Sequence, residues 1–167
     1  MYRAIRQASR DARGGASLLE LTVTVLILGI VAAIASPTYS SSLHNYRTEV
    51  ASQRILQDIE QARRVARQTN SSRTITFSTS SQSYTIAGLG SLDRVGQSYE
   101  IPLSGAPYHS RLLFLATSAQ PSVSLSSVAV VFDRFGMPNQ GVRLRVGSGA
   151  VEKRIDVAPV SGRVSVQ

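Results

Sequence analysis

Glu20 is the residue whose type and setting carry the clearest chemical consequence. It stands in the run Gly15-Ala16-Ser17-Leu18-Leu19-Glu20-Leu21-Thr22-Val23, and no other charge follows until beyond Ser36. An acid held at the centre of an apolar helix costs roughly 2.5–3.5 kcal/mol on insertion scales, so this carboxylate calls for a partner. Other reactive groups are sparse. The chain has no cysteine, which excludes disulfides and thiolate metal sites, and its two histidines, His44 and His109, are too far apart in sequence to suggest a metal cluster. No serine sits in a G-x-S-x-G setting, Gly88-Leu89-Gly90 lacks the rest of a phosphate loop, and Asp93, Asp133 and Asp156 are not spaced as a calcium loop. The residues therefore point to no catalytic centre, no cofactor and no metal. The three aspartates read as surface acids in turns and strands.

The elements around Glu20 explain its position. Residues 16–36, 21 in number, reach roughly 32 Å as a helix at 1.5 Å each, about the hydrocarbon thickness of a bilayer. Ahead of them Arg3, Arg6, Arg10 and Arg13 against Asp11 give a net +3, which holds the N-terminus on the cytoplasmic side by the positive-inside rule. Pro37 lacks an N–H and clashes with the carbonyl four residues back, so a kink is expected there. Beyond it Tyr39, Leu43, Tyr46, Val50, Ala51, Ile55, Ile59, Ala62 and Ala66 recur at steps of three and four, with Leu56 and Val65 widening the stripe. Arg47, Glu49, Arg54, Asp58, Glu60, Arg63, Arg64 and Arg67 occupy the remaining surface and are expected to face water or a neighbour, and Thr69-Asn70-Ser71-Ser72 stops the helix.

From Arg73 the period becomes two. Ile75 and Phe77, Tyr84 and Ile86, and Tyr99, Ile101 and Leu103 read as short antiparallel strands, with a Gly/Asp loop at 88–96. Leu112–Ala116 and Val128–Phe132 are continuous apolar runs, expected to be strands buried on both sides. Val142–Val146 and Val151–Val157 form a hairpin through Gly147-Ser148-Gly149, and the segment 160–166 adds a turn and strand. A long helix followed by strands predicts an α+β fold, with the helix against one face of an antiparallel sheet or pair of sheets. The organisation expected is a basic leader at 1–15, a membrane helix at 16–37, its amphipathic continuation at 38–70 and a β-rich domain at 71–167.

This order of parts resembles the prepilin signal of type IV prepilins and type II secretion pseudopilins: Gly15, then Ala16-Ser17-Leu18-Leu19-Glu20, an apolar run with Gly29, then Pro37. The later Val131-Phe132-Asp133-Arg134-Phe135-Gly136-Met137-Pro138 turn, the hairpin after it and the terminal Gly162-Arg163 are similar to the GspH/FimT type of minor pseudopilin. The resemblance implies cutting between Gly15 and Ala16 by prepilin peptidase, N-methylation of Ala16, which stands where Phe is usual, and Glu20 as the fifth mature residue. Scission turns the Ala16 amide into an α-amine of reference pKa about 7.7–8.0, a counter-ion for Glu20 within the subunit or on its neighbour. It also implies a single pass through the inner membrane, a periplasmic C-terminal domain, and other pilins or pseudopilins and inner-membrane lipid as partners.

The net charge of +8 leaves +5 in residues 16–167 once the leader is removed. Arg143 and Arg145 alternate with Val142, Leu144 and Val146 and so share one strand face; with Lys153, Arg154 and Arg163 they form a candidate DNA-contacting patch, since some FimT-type minor pilins bind DNA for uptake. Glu152 and Asp156 dilute it. A different reading of residues 1–35 is an ordinary signal peptide cut after Ala33-Ile34-Ala35, releasing a soluble secreted β-domain. Glu20 and the helical pattern that resumes after Pro37 oppose that reading.

Overall fold

The computed structural model describes residues 17–90 and 98–167. Helix α1 (Leu18–Gln68) is followed by β1 (Arg73–Ser78), β2 (Ser83–Gly90), β3 (Ser98–Pro102), β4 (Arg111–Thr117), β5 (Ser127–Phe132), β6 (Val142–Ser148), β7 (Val151–Val157) and β8 (Val164–Val166). The fold is α+β, and the chain divides into a unit ending at Tyr39 and one spanning Ser40–Gln167.

In the first unit every described side chain from Leu18 to Ile34 is exposed. An 18-residue window of the helix has a mean hydropathy of 2.5, long and apolar enough to cross a membrane. Its hydroxyls are satisfied internally: Thr22 and Thr24 donate to the carbonyls of Leu19 and Leu21, each at 2.8 Å, which hides two polar groups on an apolar surface. Helical structure continues through position 37.

In the second unit the buried stripe of α1 is Thr48, Ala51, Ser52, Ile55, Asp58, Ile59, Ala62 and Ala66. The alanines let the helix axis lie close to the strands, while Ile55 and Ile59 contribute about 1.5–3 kcal/mol each by burial. Tyr39 and Tyr46, expected on this stripe, are instead 72% and 66% exposed, because the buried face turns through Thr48 and Ser52. The helix stops in a Schellman turn. Asn70 takes φ +50, its N–H donates to Arg67 O at 3.4 Å and Ser71 N–H donates to Ala66 O at 3.2 Å.

The strands form two antiparallel sheets, ordered β3-β2-β1-β5 and β4-β6-β7-β8. Their inner faces and α1 share one core, including Ile75, Phe77, Tyr84, Leu115, Val130, Phe132, Leu144 and Ile155. Two expectations need correcting. β5 alternates, with Val128, Val130 and Phe132 buried while Ala129 is exposed, so only one of its faces is covered; β4 exposes Leu113 beside a bulge at Leu112–Phe114 and is buried on both sides only from Leu115 to Thr117. The loop placed at 88–96 starts later, since β2 runs to Gly90 with an irregularity at Gly88 (φ +75), and residues 91–97, Asp93 among them, lie outside the described ones. The β6–β7 hairpin forms, with its turn at Gly149 (φ +58) and Ala150 because Ser148 pairs with Val151.

A seam between the sheets comes from one side chain. Gln82 accepts from Leu112 N–H at 2.7 Å and donates to Leu112 O at 3.2 Å, standing in for a strand along that part of β4.

Candidate functional site

The first candidate site is the N-terminal part of α1. Glu20 lies exposed in the first helical turn, where the unpaired backbone N–H groups favour a negative charge. It makes no ion pair among the described residues. The expected scission point, Gly15 and Ala16, lies outside the described residues. Around Glu20 the large apolar side chains are open, from Val23 at 44% to Leu18 at 80%. A contiguous exposed apolar surface of this extent marks a place of contact with another apolar surface.

The second candidate is the cationic set. Arg143 and Arg145 point out from β6 as their alternation predicts. Each meets a carboxylate: Arg143 Nε lies 2.9 Å from Asp156 and Arg145 Nη1 3.3 Å from Glu152, while Arg154 Nε lies 2.8 Å from Asp156. The Arg145 guanidinium also stacks over Phe114 at 4.9 Å. Lys153 is turned to the other face of β7, where it pairs with Glu49 of α1. Hydrogen bonds from Lys153 and Gln53 hold the Glu49 carboxyl below its usual range. Arg163 is exposed and pairs with no carboxylate among the described residues. The five cations thus divide between two faces and a turn, and the outer face of the second sheet carries Glu152 and Asp156 among its arginines.

Two polar arrangements were missed by the sequence reading, which assigned Asp58, Arg54 and Arg63 to the wet side of α1. Asp58 is 3% exposed. Its Oδ2 accepts from Tyr84 Oη at 2.5 Å, Tyr99 Oη at 2.8 Å and Arg54 Nε at 3.2 Å, and Arg54 Nη2 donates to Tyr99 Oη at 2.5 Å. Burial beside this carboxylate raises the pKa of Tyr84 well above its usual value and that of Tyr99 from 10.0 to about 12. Burial works against the Arg54 charge, but the Tyr99 and Asp58 contacts outweigh it and raise its pKa.

Arg63 reaches two loops. Its Nε donates to Gly136 O at 3.2 Å and its Nη2 to Ser161 O at 2.9 Å, while Nη1 meets Glu60 at 2.7 Å. Gly136 (φ +75) and Gly162 (φ +62) are the glycines of the two turns that carry the C-terminal resemblance. The signal available for the Asp58 arrangement was Tyr84 and Tyr99 on inward strand positions, whose hydroxyls need buried partners. Among the described residues no three His, Asp or Glu side chains are grouped to hold a metal.

No family model and no curated protein matches the sequence. Among solved structures the chain is similar to the type IV minor pilin FimU of Pseudomonas aeruginosa strain PAO1, over 74% of this chain and 90% of that one, with a TM-score of 0.50 and 10% identity. The chain has a type IV pilin fold. In pilin-fold terms, α1 is the long N-terminal helix and the two sheets are the β-domain laid on its second half. At 10% identity the correspondence lies in how helix and strands are arranged, so Glu20, the arginines and the Asp58 cluster are argued from this chain alone.

Proposed function

We propose that this chain is a minor pilin or pseudopilin of the GspH/FimT kind, a structural subunit of a type IV pilus or type II secretion pseudopilus and not a catalyst. The observation that carries the proposal is a pilin fold whose 51-residue helix leaves its N-terminal half unburied, with a single acid, Glu20, in the first turn. In this reading prepilin peptidase cuts after Gly15, and the Ala16 amine, N-methylated, pairs with Glu20 in its own subunit or the next. The cut removes the arginine-rich leader and creates the counter-ion, so processing and assembly competence are one event. The apolar half of α1 first spans the inner membrane, with its N-terminus cytoplasmic and the β-domain periplasmic. It then stacks with the helices of other pilins, and the filament supports secretion or pilus function.

Mass spectrometry of the native polypeptide is expected to show a start at Ala16 with one added methyl. A start at Ser36 would mean a secreted soluble domain, and an intact Met1 would sink both readings. Glu20→Val is expected to lose its leader normally and to be absent from sheared filaments; normal incorporation would defeat the pairing argument.

The outward Arg143 and Arg145 support a second reading, DNA capture for uptake. It predicts salt-sensitive retention of the full chain on DNA that Arg143→Glu with Arg145→Glu abolishes, and no retention at low salt removes it.

A further inference from the structure

The edges of the two sheets are not equally protected. On β5 the outward groups are covered: Val131 N–H donates to Asn139 Oδ1 and Val131 O accepts from Asn139 N–H, both at 2.9 Å, while Ala129 O accepts from Gln140 Nε2 at 2.9 Å. On β4, Gln82 takes both backbone groups of Leu112, and Leu115 O accepts from Leu125 N–H at 2.7 Å. β8 is different. Arg154 and Gln167 exchange two backbone hydrogen bonds, at 2.9 and 2.8 Å. The antiparallel alternation then puts Val166 and Val164, opposite Ile155 and Val157, at positions whose N–H and C=O point away from β7. These outward groups have no partner among the described residues. An open row of this kind is a template for another strand, and natural sheets usually cover it.

We propose that the outer edge of β8 receives an extended, acidic segment of a different polypeptide by strand addition. Charge selects the chemistry of that segment. Residues 40–167 carry 14 basic and 8 acidic side chains, so a second copy would meet like charge, whereas Arg163, at the start of the edge, has no carboxylate partner among the described residues. A cleft of about 430 Å³ runs across one end of this sheet, from Thr117 of β4 past Arg143 and Asp156 to Arg163, Val164 and Ser165 at the β8 edge. The turn leading into β8 adds an apolar surface. Gly162 lies against Pro138, joining the turn to the loop that exposes Phe135 and Met137, while Val160 on the turn itself is 76% exposed. Every residue of this surface belongs to the Ser40–Gln167 unit, so the proposal does not rest on the helix before Ser40 assembling into a filament.

The test uses the full chain in detergent micelles and a synthetic peptide of alternating Val and Glu, with a Val and Lys peptide as control. Amide hydrogen exchange is expected to slow about tenfold or more at Val164 and Val166 on adding the acidic peptide, with Ser165, already paired to β7, unchanged. Val164→Pro removes an outward N–H without touching the β7 ladder and is expected to abolish binding. Arg163→Glu, remote from the core, is expected to weaken it about tenfold and decides the matter if the proline variant does not fold. Absence of binding, equal binding of the lysine peptide, or binding without slowing at Val164 and Val166 would each overturn the proposal.

Discussion

A carboxylate placed where Asp58 sits costs the fold several kcal/mol of lost hydration unless its surroundings return the hydrogen bonds. Here Tyr84, Tyr99 and Arg54 return them, so the four residues behave as one tie between α1 and the first sheet. Asp58→Asn is expected to lower stability by about 2–3 kcal/mol; the Arg54 side chain keeps a third of its surface in water, which holds the loss below that of a fully enclosed pair. In a double-mutant cycle with Tyr84→Phe the losses should fall well short of additive, and full additivity would mean the contacts are independent. The tyrosines also set an alkaline limit. Because folding raises the Tyr99 pKa from 10.0 to about 12, the folded state holds its proton more tightly than the unfolded state. Its contribution is therefore full below about pH 10 and is lost as the pH climbs through 12, with Tyr84 acting in the same direction. Melting temperatures followed across that window should fall less steeply in Tyr99→Phe than in the parent, and parallel curves would remove Tyr99 from the account.

At the scale of elements, α1 ends by organising loops as well as packing on strands. Gly136 and Gly162 adopt left-handed φ values, and a Cβ at Gly162 would stand 3.0 Å from both Arg63 Nε and Pro138 Cδ. Gly162→Ala and Gly136→Ala are each expected to cost about 1–2 kcal/mol in chemical denaturation, from the backbone conformation alone. Gly105→Ala, with open space around it, should stay within about 0.5 kcal/mol; an equal loss there would refute the strain argument. The elements themselves were largely legible. The helical period to Ala66, the stop at Thr69–Ser72 and the hairpin of Val142–Val157 all follow from local chemistry, and the structure has them. What was not legible depends on long-range partners. Nothing near Asp58 in sequence announces Tyr84 or Tyr99, and an apolar run such as Val128–Phe132 reads alike whether one face or both are covered. The turn at Asp133 was legible as a turn, and its cause is local: Asp133 Oδ1 accepts from the N–H groups of Phe135 and Met137, each at 2.8 Å, a pattern of the kind aspartate favours.

For the molecule as a whole, the distribution of the core decides what each part needs in order to be stable. The buried cluster begins at Ala51 and draws on α1 and both sheets, while no described side chain from Leu18 to Ile34 is buried. The apolar half of the helix therefore contributes surface that must be covered by something else, and the Ser40–Gln167 unit already contains the groups that hold it together. Glu20 and the five C-terminal cations were both singled out from sequence, and they differ in the charges the fold puts beside them. Glu20 remains without a counter-charge among the described residues, whereas Arg143, Arg145, Lys153 and Arg154 have carboxylates beside them. Separating the two units experimentally tests this division. A fragment from Ser40 to Gln167 is expected to be soluble without detergent and monomeric. Its cooperative thermal transition should fall within a few degrees of that of the full chain in micelles, because it keeps every member of the core. A fragment that aggregates or melts without cooperativity would show that the residues before Ser40 stabilise the β-domain, and the apolar helix would then have to be read as part of its core instead of as a surface kept for lipid and neighbouring helices.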